Sequence, residues 1–147
     1  MKALAFAQPC PCGGGAPDTA RAGKAAKPIT YGQCCGRWLE ADAAFGPFAP
    51  DARHLMRSRY TAFVLERQSY LLATWHASRR PASIGFDTGL KWMGLEVRDF
   101  RSTGADTVEV EFVARQKPLS GPAIRLHERS RFVREGGHWL YLDAVQF

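Results

Sequence analysis

The 147-residue sequence lacks cysteine over most of its length: its four, Cys10, Cys12, Cys34 and Cys35, stand at one end, with none afterwards. No Cys-x-x-Cys pair occurs, so the usual thiol–disulfide redox spacing is missing. No apolar run approaches the roughly 20 residues of a membrane-spanning helix. The apolar start, residues 3–7, is too short for a secretory leader and ends in Gln8-Pro9. Pro9 directly before Cys10 also argues against a lipid-modified cysteine. No serine sits in a Gly-x-Ser-x-Gly elbow. The glycines at 13–15 lack the following Lys-Ser/Thr of a phosphate-cradling loop. No DNA-binding motif and no internal repeat is found. These absences point to a cytosolic protein with reduced thiols.

What is present is a globular composition, 46% hydrophobic and 12% aromatic, enough for one core with a short appendage. The formal charge is +6, and it stays basic if four thiolates bind one divalent ion. Such a balance permits acidic partners, RNA included, without demanding them.

Along the chain, residues 9–36 form a cysteine-framed segment. Its middle is rich in Gly, Ala and Pro, carries Arg21, Lys24 and Lys27, and reads as a mobile loop. A short apolar piece follows over 38–48, broken by Gly46-Pro47. The strongest helix begins at "PDARHLMRSRYTAFVLERQ", with Asp51 as N-cap. Ala52, Met56, Tyr60 and Phe63 share one helical face. Ser69 is expected to cap a second helix, "YLLATWHAS", burying Leu71, Leu72 and Trp75. After Ile84 the period changes to two. Strands are expected over 90–101, in "TVEVEFVARQ", in "AIRLHERSRFVRE" and, past the Glu135-Gly136-Gly137 turn, in "HWLYLDAVQF". Helices followed by antiparallel strands give an α+β fold with the helices on one sheet face.

Cys-x-Cys, 21 intervening residues and Cys-Cys supply four soft ligands, the number tetrahedral zinc takes at about 2.3 Å. Zinc leads and iron is the alternative. Gly36 lets the backbone turn behind the second pair, and glycine N–H groups at 13–15 could donate to thiolates. Four ligands fill a tetrahedron, so such a centre is structural. Disulfides are disfavoured by the compartment, and four unrelated thiols would not normally cluster in two close pairs.

"CPCGGG…YGQCCG" resembles the SEC-C motif, the small zinc element at the C-terminus of SecA. "PDARHLMRSRYTAFVLERQSYLLATWH", "WMGLEV", "VEFVAR" and "HERSRFVREGGHWLYLDA" resemble the bacterial YchJ family, over nearly the whole chain. The resemblance implies a nuclear transport factor 2-like body over 41–147, a cone of helices on a curved antiparallel sheet. It implies an N-terminal zinc-binding segment over 1–40 with Cys10, Cys12, Cys34 and Cys35 as ligands. It also implies that the open cone can pair as a homodimer through its sheet. The SEC-C gap is usually about eight residues. Lengthening it to 21 costs only about 0.9 kcal/mol of loop entropy, against about 10–16 kcal/mol of zinc binding in finger peptides. Through Phe147 the sequence carries one such element, where some family members have a second near the C-terminus.

In the body, Arg53, Arg57, His54 and Thr61 fall on the polar side of the long helix, whereas Arg59 sits on the flank of its apolar face. Glu128 shares a phase with Ile124, Leu126, Ser130 and Phe132, where an apolar residue is expected. An Arg59–Glu128 ion pair inside the cone is therefore expected, with Asp143, in phase with Trp139 and Tyr141, as a second partner for Arg59. Arg125, Arg129 and Arg131 form an outward basic row, either neutralised by Glu109 and Glu111 or open to RNA phosphates. His76 reads as a helix C-terminal dipole partner, and His54, His127 and His138 as solvent or turn residues. Three functions follow. The first is a non-catalytic zinc-binding adaptor whose SEC-C segment docks on a protein or ribosomal partner. The second is a small-molecule enzyme using a cone pocket around Arg59, Tyr60 and Trp75. The third is a purely structural or storage role for zinc.

Overall fold

Asp51 sets where the long helix begins. Its carboxylate accepts the backbone N–H of His54 at 2.8 Å, satisfying a donor that the first helical turn leaves open. In this computed structural model, which describes residues 1–14, 28–42 and 44–147, that helix is α2, Ala52–Val64. A four-residue turn of helix, α1, precedes it at Gly36–Leu39, and α3 follows at Gln68–Ala73. The loop expected between the cysteine pairs, with Arg21, Lys24 and Lys27, lies outside the described residues at 15–27.

α2 buries Ala52, Met56 and Tyr60 as its apolar period requires, with Phe63 half-buried. Glu66 takes a left-handed conformation (φ 56°), and the Arg67 N–H returns to the Ala62 carbonyl at 2.8 Å, closing the helix end. The second helix differs from expectation at both ends. It starts at Gln68 behind Arg67 rather than at a Ser69 cap, and it stops at Ala73. Beyond Thr74 the backbone turns to the sheet instead. Tyr141 N–H donates to Thr74 O and His76 N–H donates to Tyr141 O, each at 2.8 Å, in a parallel bridge that carries Trp75 against the last strand. Leu71 is fully buried and Leu72 half-buried.

Four strands follow in sequence order as one antiparallel sheet: β1 Lys91–Gly104, β2 Thr107–Lys117, β3 Ile124–Glu135 and β4 His138–Gln146. β2 places Val110, Phe112 and Ala114 in the core, opposite Ser130, Glu128 and Leu126 of β3. Register shifts in β1 fall at Trp92/Gly94, Val97/Asp99 and Ser102/Gly104. In the β3–β4 pair, Phe132 faces Tyr141 while Arg131 faces Asp143, leaving Leu142 as the extra residue. Bulges bend and twist their strand, and here they curl the sheet around α2. Phe132, with no exposed surface, contributes about 1.5–3 kcal/mol by burial at the centre of this concave face. Among the described residues no helix is long and apolar enough to cross a membrane.

His54 holds the Asp51 carboxyl below its ordinary value of 3.8 through the contact from Nδ1 at 2.8 Å. A carboxyl depressed by folding adds stability that is complete above its unfolded pKa and disappears as pH falls through the folded one. Asp51→Ala should therefore cost about 1 kcal/mol in urea unfolding at neutral pH. The gap between variant and wild type should close as the medium is acidified below about pH 4.

Candidate metal centre and cone cavity

The two cysteine pairs meet on α2. Pro9 bridges to Thr30, Cys10 N–H donates to Ile29 O at 3.0 Å, and Tyr31 N–H donates to Gln8 O at 2.7 Å. These bonds lay the strand bearing Cys10 and Cys12 beside the turn bearing Cys34 and Cys35. Behind the second pair, Cys34 and Gly36 both donate to the Tyr31 carbonyl, at 3.0 and 2.8 Å. A Cβ on Gly36 would lie 2.7 Å from that oxygen, so a residue without a side chain is required at this close approach.

All four sulfurs are buried, and their Sγ atoms lie within 4.8 Å of one another. Sγ separations are 3.6 Å for Cys10–Cys12, 3.5 Å for Cys12–Cys34, 3.6 Å for Cys12–Cys35 and 3.9 Å for Cys34–Cys35. A tetrahedron with metal–sulfur bonds of about 2.3 Å has edges of about 3.8 Å. A disulfide would need about 2.05 Å, and all four cysteines are free. The donor set thus fits one tetrahedral metal ion. The side-chain contact with Cys12 holds the Cys10 thiol far below the ordinary thiol range, while the contact with Cys10 pushes Cys35 far above it. Four adjacent thiolates need a cation to coexist in so small a buried volume. The Gly14 N–H donates to Cys12 Sγ at 3.2 Å, the relief expected from the glycine run, while Gly15 lies outside the described residues.

The body supports this centre with residues that the sequence did not connect to it. Thr61, assigned to the polar side of α2, is fully buried with Oγ1 3.8 Å from Cys10 Sγ. Arg57 donates to Cys12 O at 3.2 Å. The polar side of the helix is thus the floor of the sulfur cluster. Tyr31 is fully buried and donates to Glu40 at 2.7 Å, and Glu40 pairs with Arg67 at 2.9 Å. Burial raises the Tyr31 hydroxyl well above its ordinary pKa. Burial alone would raise Glu40, but the bonds from Tyr31 and Arg67 hold it lower. The only advance signal for this network was an aromatic residue inside "YGQCCG".

On its other flank α2 borders a cavity of about 390 Å³ between helices and sheet, lined among others by Arg59, Tyr60, Trp75, Glu128 and Tyr141. The expected Arg59–Glu128 ion pair is not formed. Arg59 Nη1 donates to Leu71 O at 2.8 Å and to Thr74 Oγ1 at 2.7 Å, and the guanidinium lies over Tyr141 and Trp75, 4.5 and 4.9 Å from their ring centres. Backbone and hydroxyl acceptors at the end of α3 reach Arg59 first. Glu128 instead accepts from Gln146 at 3.2 Å. Asp143 is not a partner for Arg59 either. The extra Leu142 in β4 takes it out of phase with Tyr141 and sets it against Arg131. Burial lowers the Arg59 pKa to about 10 and raises that of Tyr60 to about 12.

Residues 51–144 match the family described as YchJ, middle NTF2-like domain. The chain belongs to the YchJ family. It is 60% identical over 135 residues to a UPF0225 protein of Polaromonas sp., covering 92% of this chain and 91% of that one. It is 49% identical over 138 residues to a UPF0225 protein of Xanthomonas campestris, covering 92% and 93%. Two solved structures share its fold. One is a SEC-C motif containing protein from Psychrobacter arcticus, with TM-score 0.76 and 28% identity, covering 95% of this chain and 84% of that chain. The other is a SEC-C motif containing protein from Rhodopseudomonas palustris, with TM-score 0.68 and 30% identity, covering 83% and 95%.

Within this YchJ-family body, the outward basic row is largely neutralised. Arg129 pairs with Glu109 and Glu111 at 3.7 and 3.1 Å, and Arg131 pairs with Asp143. Arg125 stands opposite Arg115 in the strand register. His76 bonds Ser78 at 2.7 Å and Glu135, rather than a helix end. His127 is half-buried, bonds Glu111 at 2.7 Å and stacks on Phe147, so it is not a free solvent residue.

Substituting Gly36→Ala tests the sulfur geometry without removing a ligand. The clash with Tyr31 O should lower stability by about 1–3 kcal/mol and weaken metal retention in a chelator competition. Retention equal to wild type would contradict the geometry.

Proposed function

We propose that residues 1–40 bind one zinc ion through Cys10, Cys12, Cys34 and Cys35 and act as a non-catalytic docking element for a protein or ribosomal partner in the reducing cytosol. Residues 41–147 carry and brace that element. The observation that carries this reading is the closed sulfur set: four buried thiols at tetrahedral spacing leave no position for a substrate. The surface beside them supports docking. An open groove runs past Phe6, Gln33, Arg37 and Glu40, and Phe6 keeps 60% of its surface exposed. The paired state of Arg129 and Arg131 favours a protein contact over RNA held by the basic row.

Elemental analysis of purified full-length protein should find one zinc per chain. In a pull-down, wild type should recover a macromolecule that Cys34→Ser loses, while the circular dichroism of the helices and sheet persists. Equal recovery by the variant would remove the metal element from recognition. Because thiols must be deprotonated to ligate, metal retention in a competition assay should fall steadily as pH is lowered.

A second reading, a small-molecule receptor or enzyme in the cone, draws support from the cavity at Arg59, Tyr60 and Trp75. Its volume of about 390 Å³ lies within the range of ligand pockets.

A further inference from the structure

Arg59 keeps only 4% of its surface exposed, yet among the described residues no carboxylate pairs with it. Buried charges are normally matched by an opposite charge. Both of its protein hydrogen bonds leave from Nη1. The Nε–H and the Nη2–H beside it therefore remain, the parallel pair that fits the two oxygens of a carboxylate. Arg59 lines the cavity. Trp75, stacked against the guanidinium, carries a further buried nitrogen, Nε1, without a hydrogen-bond partner among the described residues. Ser130, also on the wall, is buried with no side-chain bond among them.

The remaining wall is largely aromatic and aliphatic, including Phe63, Phe86, Trp92, Phe112 and Leu126. The other charged residues on the wall are Lys2, Glu66, Asp87 and Glu128. Lys2 and Glu66 neutralise one another at 3.3 Å, and Asp87 accepts the Gly89 N–H of its own turn at 2.9 Å. Glu128 accepts from Gln146, so Asp87 and Glu128 are two wall carboxylates without a cationic partner among the described residues. One unmatched cation among largely apolar walls suits a ligand with a single negative group, and the two wall carboxylates without cations disfavour further negative charge. They do not suit a dicarboxylate or a phosphate dianion.

We propose that the cone binds a small monocarboxylate with an apolar, preferably aromatic, body, its carboxylate seated on Arg59 Nε and Nη2. This rests on the small-molecule reading of the cone and is independent of the metal centre. The probes are 3-phenylpropionate and indole-3-acetate against their carboxamides, titrated into the full-length, metal-replete protein by calorimetry and by indole N–H resonances. The Trp75 signal is assigned from Trp75→Phe. Each acid should bind at least ten-fold more tightly than its amide and shift the Trp75 signal. Arg59→Lys, which keeps a charge and loses the fork, should abolish that preference. The acid–amide comparison on wild type stands by itself if that variant does not fold. Leu126→Trp, which fills the cavity, should weaken acid and amide alike. Acid and amide binding equally, both lost in Leu126→Trp, would overturn the carboxylate assignment and leave the small-molecule reading in place. Absence of binding by every probe at millimolar concentration would overturn both.

Discussion

Four sulfurs enclosed in one small volume are the constraint on which the N-terminal part of this chain depends. Among its described residues the segment has little repetitive structure: a helical turn, an isolated bridge and a handful of backbone bonds. Its order comes from bringing Cys10 and Cys12 against Cys34 and Cys35 over the buried Tyr31 ring. Thiolates at such spacing repel one another and are poorly solvated, so charge balance favours a divalent ion at their centre. Chain entropy opposes closure of the long connection only weakly, because it grows with the logarithm of loop length.

α2 is the wall shared by both halves of the structure. One side, through Thr61 and Arg57, closes the floor of the sulfur cluster. The other, through Arg59 and Tyr60, borders the cone cavity. Tyr60 also accepts the Gly94 N–H at a bulge of β1, tying the helix to the point where the sheet bends. A helix covered on both flanks can bury polar side chains such as Ser58 and Thr61, because each finds a neighbour: Ser58 meets Tyr70 at 2.6 Å, and Thr61 meets a sulfur.

Charge is treated oppositely on the two faces of the sheet. Outside, Arg129, Arg131 and His127 each meet an acidic neighbour across the strands. Inside, Arg59 rests on a carbonyl, a hydroxyl and two aromatic rings without a counter-charge among the described residues. Surface pairs of this kind contribute little each. A buried guanidinium without an anion is costly, and it makes the cone interior the electrostatically unfinished part of the molecule.

The strand and helix pattern was legible in the residues themselves. Alternation in "TVEVEFVARQ" and the Asp51 cap are local properties, and local periodicity survives in the fold because one face of each element has to leave water. The sulfur spacing was legible for the same reason: ligand chemistry reads residue type directly. Where Arg59, Asp143 and Trp75 point was not. A single extra residue in β4 reverses the side of Asp143, and a backbone bridge to Tyr141 stops α3 before Trp75. Those outcomes depend on strand register and on competition for backbone partners between segments distant in sequence. Sequence alone therefore determined the elements and the two cysteine pairs, while tertiary packing decided which polar groups meet, since pairing follows distance in space.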